Sequence, residues 1–476
     1  MTTTASATRS PAEPGAHGEG PTRSAGDGIL SPAYRSVTVA ALALVTLGAY
    51  ENRATTTILP TVLADLHAIQ WFGIVAGASA ITYLVATTVA GAWADHVGAR
   101  RVLLTGLGLF VVAQVASGLA PTSGVLLGAR ALSGIGEGGL DVSLIVLVAD
   151  LMPDRLRAKL YAAFATAWIL PSLVGPAIAG AVAQWLGWRA AFLLPLILVA
   201  GATAALCPPL RRAPGREVRP WTSTEWSTSR AALVVATAMA GVTWGVAAAA
   251  SGSRWALLVL ALSVGALVFR LARVLPVGSA RLSRGAPAIV GITVLVATAF
   301  QSLGAYLPLL MAAVHHVGPT LTGISLTVTG IFWALGSNIA SRDAVRGGFS
   351  PGRVVGLGMV VMAIGSTGPL LYALGYAGLA VAMATWAVSA VGMGLVNNTL
   401  SVELVRVSAA DERGRTTAAR TVGAAVGSGA ATAYGGALVA GHAAHLTGPV
   451  FALVIALGTV VALATALVAH RIDDRD

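Results

Sequence analysis

The chain has 476 residues, of which 56% are hydrophobic and only 10% are charged, and this balance excludes a soluble globular protein of its size. Its single cysteine, Cys207, excludes a disulfide framework and a thiolate metal site. The net charge of +11 does not require a nucleic acid partner, because the positions of the basic residues explain it.

Apolar runs of about 20 residues recur fourteen times between Val37 and Ala469, and each is long enough to cross a bilayer. They predict an all-α polytopic membrane protein. With the N-terminus placed inside, the basic residues concentrate on the inward side of these runs, which is the positive-inside signature. The exceptions lie in outward loops or within the runs: Arg53, Arg130, Arg189 and Arg254.

The N-terminal stretch 1–35 has no apolar run and is rich in Thr, Ser, Ala, Pro and Gly, which predicts a disordered cytoplasmic tail. The first run, 37–63, is too long for a signal peptide and stays as the first helix. It carries Glu51 near mid-membrane, with Thr55 one turn further along the same face. Arg53 points to roughly the opposite side.

The second helix, 71–93, leads into a turn that combines glycines with charged residues: Gly91, Asp95, Gly98, Arg100 and Arg101. The glycines permit a close approach and a tight turn, and Asp95 can cap a helix N-terminus in the other half of the molecule. The spacing resembles the loop between helices two and three of the major facilitator superfamily, and departs from it at Trp93, His96 and Ala99. The resemblance implies a gating loop.

The fourth run, 126–150, keeps three charged residues, Arg130, Glu137 and Asp141. One charge at the centre of a membrane helix costs about 3 kcal/mol on insertion scales. At about 3.6 residues per turn all three project from a single face, which must look into water or protein rather than lipid. Two interpretations stay open: a structural network that locks the bundle, or a substrate and proton site that lines a cavity.

Small residues surround these charges. Arg130, Ser133, Gly134 and Gly136 resemble the superfamily's fourth-helix motif, with Ser133 in place of a glutamine. Gly134, Gly136 and Gly139 also spell a dinucleotide-binding pattern, but they lie within a span and follow no strand, so a Rossmann site is rejected. Glycines at this position instead let a neighbouring helix approach closely.

The fifth helix combines prolines and glycines that predict a packed bend: Pro171, Gly175, Pro176 and Gly180. The last three resemble a motif associated with antiporters of the superfamily, and a plain proline kink is the alternative. Trp188, Arg189 and Phe192 resemble the opening of the sixth helix in the fourteen-helix drug:proton antiporters.

The runs group into a six-helix bundle (36–208), loops with two linker helices (209–285), a second six-helix bundle (286–470) and a cytoplasmic tail (471–476). A weak internal repeat supports two related halves. At an offset of 258 the first set Gly134, Gly136, Asp154 and Arg155 aligns with Gly392, Gly394, Glu412 and Arg413.

The second half carries amides where the first carries acids, so that almost no buried charge is expected there: Gln301, Asn338, Asn397 and Asn398. Gln301 lies about as deep in its helix as Glu51. Four histidines fall on outward turns, either as a pH-sensitive or metal-binding cluster or as ordinary loop residues: His315, His316, His442 and His445.

The resemblance covers 37–469 and implies the major facilitator fold, in which two halves rock about a midplane site. It implies a secondary transporter, with proton-coupled export of drugs or other small lipophilic molecules ranked above uptake symport of a small metabolite. A membrane receptor that does not transport is a further alternative. A proton and a substrate can compete for a carboxyl group in such a site. The predicted site residues are Glu51, Glu137, Asp141, Arg130, Arg53, Gln301 and Asn397.

Glu137 is the predicted principal proton carrier, because it is nearest the centre of its span and has small neighbours. Asp141 is a candidate structural partner of Arg130 or Arg53. The expected partners are a small-molecule substrate, protons and the lipid bilayer. We expect a monomer in the cell membrane with both termini in the cytoplasm, which is not an enzyme and binds no nucleic acid, metal or cofactor.

Overall fold

The computed structural model describes residues 28–32, 34–212, 220–250, 252–409 and 412–473, and these ranges contain helices and no strands. Most of the predicted N-terminal tail and the last residues of the C-terminal tail lie outside the described residues, as do the side chains of Asp154 and Arg155.

The helices are α1 (Arg35–Asp65), α2 (Phe72–Val97), α3 (Ala99–Gly118), α4 (Ser123–Leu151), α5 (Asp154–Trp185), α6 (Trp188–Leu193), α7 (Pro195–Arg212), α8 (Ser223–Ala250), α9 (Arg254–Val274), α10 (Ala286–Gly304), α11 (Tyr306–Ala313), α12 (Pro319–Ser341), α13 (Asp343–Gly348), α14 (Pro351–Ala373), α15 (Leu379–Val407), α16 (Arg413–Gly441) and α17 (Gly448–Val468). Short 3-10 turns occupy Ile69–Trp71, Ser279–Arg281 and Ala469–Ile472.

Twelve segments of the described chain are long and apolar enough to cross a membrane, with α6 and α7 forming one segment and α10 and α11 another. Two further long helices, α1 with 31 residues and α5 with 32, fall outside this set. In α1 the apolar run is interrupted by Glu51, Asn52 and Arg53. Each of the fourteen predicted spans is therefore helical, and the predicted all-α membrane fold is confirmed.

Glycines of α4 bring two neighbouring helices into close contact with it. A Cβ added at Gly136 would lie 2.8 Å from the backbone nitrogen of Phe110 in α3. One added at Gly138 would lie 2.9 Å from the backbone nitrogen of Thr87 in α2. The threonine at position 82 of α2 also donates a hydrogen bond to the carbonyl of Ala131, at 2.7 Å. The predicted close helix approach at these glycines is confirmed.

Two glycines of α15 have the same relation to their neighbours. A Cβ at Gly392 would lie 2.8 Å from the backbone nitrogen of Met362 in α14, and one at Gly394 would lie 2.7 Å from that of Ser337 in α12. By these packing faces Gly392 corresponds to Gly136 and Gly394 to Gly138, an offset of 256. The predicted offset of 258 is wrong for these helices, because a run of closely spaced glycines can be aligned in two registers.

The glycine-proline segment of α5 crosses α12 at backbone contact. A Cβ at Gly323 of α12 would overlap the carbonyl oxygen of Pro176, and its distance to the carbonyl carbon would be 2.6 Å. A Cβ at Gly180 would in turn overlap the carbonyl oxygen of Pro319. Gly175 faces a different helix, since its Cβ would lie 3.3 Å from the ring of Tyr50 in α1. Gly175 therefore packs α5 against α1, and Pro176 and Gly180 pack it against α12.

A second crossing joins α2 to α16 at the same end of the molecule. A Cβ at Gly73 would lie 2.8 Å from the carbonyl oxygen of Thr432 and 3.0 Å from Cα of Gly436. The Tyr306 hydroxyl donates a hydrogen bond of 2.6 Å to the same carbonyl oxygen. We call this end, where α2 and α12 begin and α5 and α16 finish, the closed end.

The linker helices α8 and α9 pack against each other, and α8 also contacts α2 and α16. An apolar cluster joins Ile81 of α2 to Val235, Ala236 and Met239 of α8, with Val426 of α16 packed beside it. On α9, large apolar side chains such as Trp255 and Leu262 stay exposed, as expected of a surface that faces lipid. The pair therefore covers the line where α2 meets α16.

We expect Gly323→Leu to lower the Tm of the detergent-solubilised protein, because the new side chain would overlap the carbonyl group of Pro176. Overpacking of this kind costs about 1–3 kcal/mol. Thermal unfolding measures the effect. Gly265→Leu is the matched control, since nothing lies within 4 Å of a Cβ placed there. Equal Tm values for the two variants would contradict the assigned contact between α5 and α12.

Candidate functional site

A buried ion pair links α1 to α4. Nη1 of Arg130 donates to Oε1 of Glu51, and the two side chains are only 3% and 2% exposed. The other arginine nitrogen, Nη2, donates to the hydroxyl of Ser79 on α2 at 2.7 Å. The hydroxyls of Thr55 and Ser133 each donate to Oε1 of Glu51 at 3.3 Å. The pair thus connects three helices and leaves neither ion facing lipid.

Asp141 has a different partner from the one the sequence suggested. The Tyr83 hydroxyl donates to Oδ2 of Asp141 at 2.7 Å. In the part of the chain that the structure describes, no arginine pairs with Asp141. Its predicted pairing with Arg130 or Arg53 is therefore wrong. Arg130 reaches across to α1 because Glu51 lies opposite it, one helix away.

Glu137 lies between these two polar contacts and has none of its own. Its Oε1 would lie 3.4 Å from a Cβ at Gly48, so the carboxyl group points toward α1 where that helix has no side chain. The residue is half-buried, and within the described ranges nothing is hydrogen-bonded or ion-paired to it. Arg130, Glu137 and Asp141 share one face of α4, as their spacing predicts, and the structure turns this face toward α1 and α2. The carboxyl group of Glu137 can therefore exchange a proton without breaking an ion pair.

Arg53 lies on the other side of α1, as predicted. It lines a cavity of about 320 Å³ between α5 and α12, together with Ser172, Trp333 and Asn338. A smaller cavity of about 90 Å³ adjoins it and is also lined by Arg53, with Gln301 on α10. Arg53 and Gln301, which the sequence placed at one site, are therefore brought together.

Asn397 is not part of this cavity group. Its Oδ1 accepts a hydrogen bond of 2.7 Å from Nη2 of Arg420 on α16. The expectation of almost no buried charge in the second half is also wrong, because Glu403 is only 4% exposed and pairs with Arg406 at 2.6 Å. The two are three residues apart on one helix, a spacing that the sequence could have revealed. Asn398 lies beside them, in a further cavity of about 350 Å³.

Comparison with known proteins identifies the family to which the chain belongs. The sequence matches the family model of the Major Facilitator Superfamily over residues 41–346. The chain belongs to the major facilitator superfamily.

Its similar relatives are themselves transporters. An uncharacterized MFS-type transporter of Mycobacterium tuberculosis (strain ATCC 25618 / H37Rv) is 30% identical over 236 residues, which is 47% of this chain and 33% of that protein. The multidrug transporter protein MdtP of Bacillus subtilis (strain 168) is 30% identical over 140 residues, 29% of this chain and 26% of that protein. The chain spans a third or less of the length of the curated relatives it matches.

Solved structures share the fold at low sequence identity. A POT family transporter in complex with 5-aminolevulinic acid matches with a TM-score of 0.66 over 92% of this chain and 96% of that chain, at 15% identity. An auto-inhibited POT family peptide transporter gives 0.63 over 93% and 98%, also at 15% identity. At this identity the likeness concerns the fold alone.

The predicted gating loop of this superfamily member is a tight turn. Gly98 has a φ of 88°, in the region that favours glycine, and separates α2 from α3. Gly91 makes no close approach, since a Cβ there would meet only Val142 at 3.9 Å. Asp95, Arg100 and Arg101 are exposed at this turn. Capping by Asp95 of a helix in the other half stays a prediction.

The predicted histidine positions form no metal centre among the described residues, where no three potential ligands come together. His315 instead stacks on Tyr372, with ring centroids 3.8 Å apart. Burial lowers the pKa of His315, which favours its neutral form. Nδ1 of His442 lies 2.9 Å from the carbonyl of Leu438. Local packing therefore accounts for these two residues.

We expect Glu51→Gln to destabilise the protein strongly, because it removes the carboxylate to which the buried Arg130 guanidinium is paired. Removing one partner of a buried pair costs about 3–5 kcal/mol. Thermal unfolding of the purified variant measures the loss. Glu412→Gln is the control, since its pair with Arg415 is exposed and such pairs contribute about 0–1 kcal/mol.

Replacing both members of the buried pair is a second test of the same interaction. Glu51→Gln with Arg130→Gln should recover part of the lost Tm, because no buried charge is then left unpaired. A double variant less stable than Glu51→Gln alone would argue against the pair as the cause.

Proposed function

We propose that this superfamily member is a secondary transporter of the cell membrane that couples the entry of protons to the export of small lipophilic molecules. The observation that carries the proposal is the carboxyl group of Glu137, which lies in a membrane helix and, among the described residues, forms no salt bridge or hydrogen bond. An acid that persists there at an energetic cost favours a functional role. Beside it, Glu51 and Arg130 form a fixed pair, so the mobile proton is assigned to Glu137.

Alternating access is supported by the uneven contact between helices on the two sides of the membrane. At the closed end, α5 meets α12 and α2 meets α16 through backbone contacts at glycines. Further along the same helices, α5 and α12 enclose the cavity beside Arg53. We assign α1–α7 and α10–α17 to two halves that rock about this cavity. The positive-inside pattern supports a cytoplasmic position for the cavity end and both termini.

Export is favoured by the glycine-proline segment of α5 and by the similarity to a protein named as a multidrug transporter. The linker pair α8–α9, which makes fourteen spans rather than twelve, supports assignment to the fourteen-helix drug:proton antiporter branch. Uptake symport of a small metabolite is the second candidate. The direction of counterflow in vesicles of known orientation separates the two.

We expect Glu137→Gln to fold normally and to lose proton coupling. The amide has nearly the shape of the acid, and no ion pair depends on this residue. The measurement is proton flux into proteoliposomes that enclose a pH-sensitive dye, driven by a panel of lipophilic cations, neutral compounds and aromatic carboxylates. Tm should equal that of the wild type.

The matched control for this measurement is Glu412→Gln, which changes an exposed acid just before α16 and should couple normally. Proton-driven efflux at the wild-type rate in Glu137→Gln would overturn the assignment. Glu51 would then become the leading candidate.

We also expect Asp95→Asn to slow the transport cycle without preventing membrane insertion. Asp95 is exposed in the last turn of α2, outside the cavity, so substrate affinity should not change. The negative charge is assigned to stabilising a helix N-terminus in one conformation of the cycle. Initial efflux rates at equal membrane content measure the effect, and a wild-type rate would refute the role of this charge.

A further inference from the structure

Arg53 is a cation on a membrane-spanning helix, α1. Among the described residues, no carboxylate forms an ion pair with its guanidinium group. Its Nε is inaccessible to solvent and has no hydrogen-bond acceptor. The only acid near it on α1, Glu51, is two residues away and is held by Arg130 on the opposite side. Arg53 is half-buried, and a guanidinium that keeps its charge inside a membrane requires an acceptor.

A second donor without an acceptor lines the same small cavity. Trp386 on α15 is 1% exposed, and within the described ranges its indole nitrogen Nε1 has no hydrogen-bond partner. Trp386 and Arg53 both line the cavity of about 90 Å³. Buried indole N–H groups are normally hydrogen-bonded, so a cavity lined by two residues that each carry an unsatisfied donor is a candidate position for an external acceptor.

Aromatic rings form the rest of the wall. The ring of Phe300 stacks on that of Trp386, with centroids 5.2 Å apart and planes inclined by 21°. It also meets Trp333 edge-on at 5.2 Å. Trp333 and Arg53 line both the small cavity and the adjoining one of about 320 Å³. The donors therefore lie beside flat apolar surfaces and a space large enough for a ring system.

We propose that the substrates of this protein are aromatic or lipophilic organic anions, with their carboxylate or similar acidic group held by Arg53 and the Trp386 indole N–H. The apolar part of the substrate occupies the larger cavity against Trp333. This inference rests on the proposed transport function and names its substrate class. A guanidinium gives charge-assisted hydrogen bonds to a carboxylate, which a neutral or cationic analogue cannot accept in the same way.

The arrangement separates the two ligands of the transporter on opposite sides of α1. Glu137 faces α1 at Gly48 and Asp141 is bonded to Tyr83 of α2, whereas Arg53 faces α5 and α12. Apart from Arg53, the residues that line the two cavities carry no charge. An anion at Arg53 therefore does not face the proton-binding carboxyl group of Glu137 directly, and substrate and proton are bound on opposite sides of α1.

The test is a binding measurement that needs no proton gradient, so its result is independent of coupling. Equilibrium dialysis of the full-length protein in detergent compares naphthaleneacetate with naphthaleneacetamide and naphthylethylammonium, which share one ring system. We expect the carboxylate to bind at least tenfold more tightly than the other two. Arg53→Gln should abolish this preference, and Arg53→Lys should retain part of it.

Two further variants control the experiment. Arg254→Gln removes the same charge from an exposed position outside both cavities and should leave the preference unchanged. Trp386→Phe keeps an aromatic ring but removes the indole N–H, and should weaken carboxylate binding more than amide binding.

The proposal is overturned if the three probes bind equally, if none binds, or if the ammonium compound binds most tightly. It is also overturned if Arg53→Gln keeps the wild-type preference for the carboxylate. Should that variant fail to fold, the comparison of probes on the wild-type protein and on Arg53→Lys still decides. A carboxylate preference in a protein that shows no proton flux would instead count against the proposed coupling.

Discussion

The ion pair between Arg130 and Glu51 is the constraint on which the polar side of this protein depends. Either charge alone in a membrane helix carries a large energetic cost, and the pair lowers this cost while it holds α1 and α4 together. Ser79 adds α2 to the same contact. With the three helices fixed in this way, Glu137 and Asp141 must face the same seam, since they share the face of α4 that carries Arg130.

Close contacts at glycines hold the other helices together, because apolar helices in lipid gain little from burying apolar surface against one another. Within the first half, α4 meets α2 and α3 at Gly138 and Gly136. Between the proposed halves, α5 meets α12 at Gly323. The contacts within the first half differ from the contact between the halves, because α4 is also held by a hydrogen bond from α2 and by the buried ion pair with α1. A rocking motion would therefore separate α5 from α12 before it separates α1 from α4.

Much of this could be predicted from the sequence, and the limits have physical causes. The spans follow from run length, and the shared face of Arg130 and Asp141 follows from helical periodicity. The partner of Arg130 did not follow, because Glu51 is distant in the chain and periodicity describes one helix at a time. The Tyr83 contact was missed for the same reason, although a tyrosine on an otherwise apolar helix is a usable signal. Arg53, by contrast, was assigned to the correct side because Glu51 is on its own helix.

The corrected alignment of α4 with α15 shows which polar residues of the two halves occupy equivalent positions. At the offset of 256, Trp386 takes the place of Arg130 and Asn397 that of Asp141. The second half thus has a neutral donor where the first has a cation that must be paired. A neutral donor can remain without a permanent partner at a smaller energetic cost than an ion, so it is free to meet a substrate. Because α1 carries Glu51 toward one set of groups and Arg53 toward the other, a shift of this helix would change both environments together.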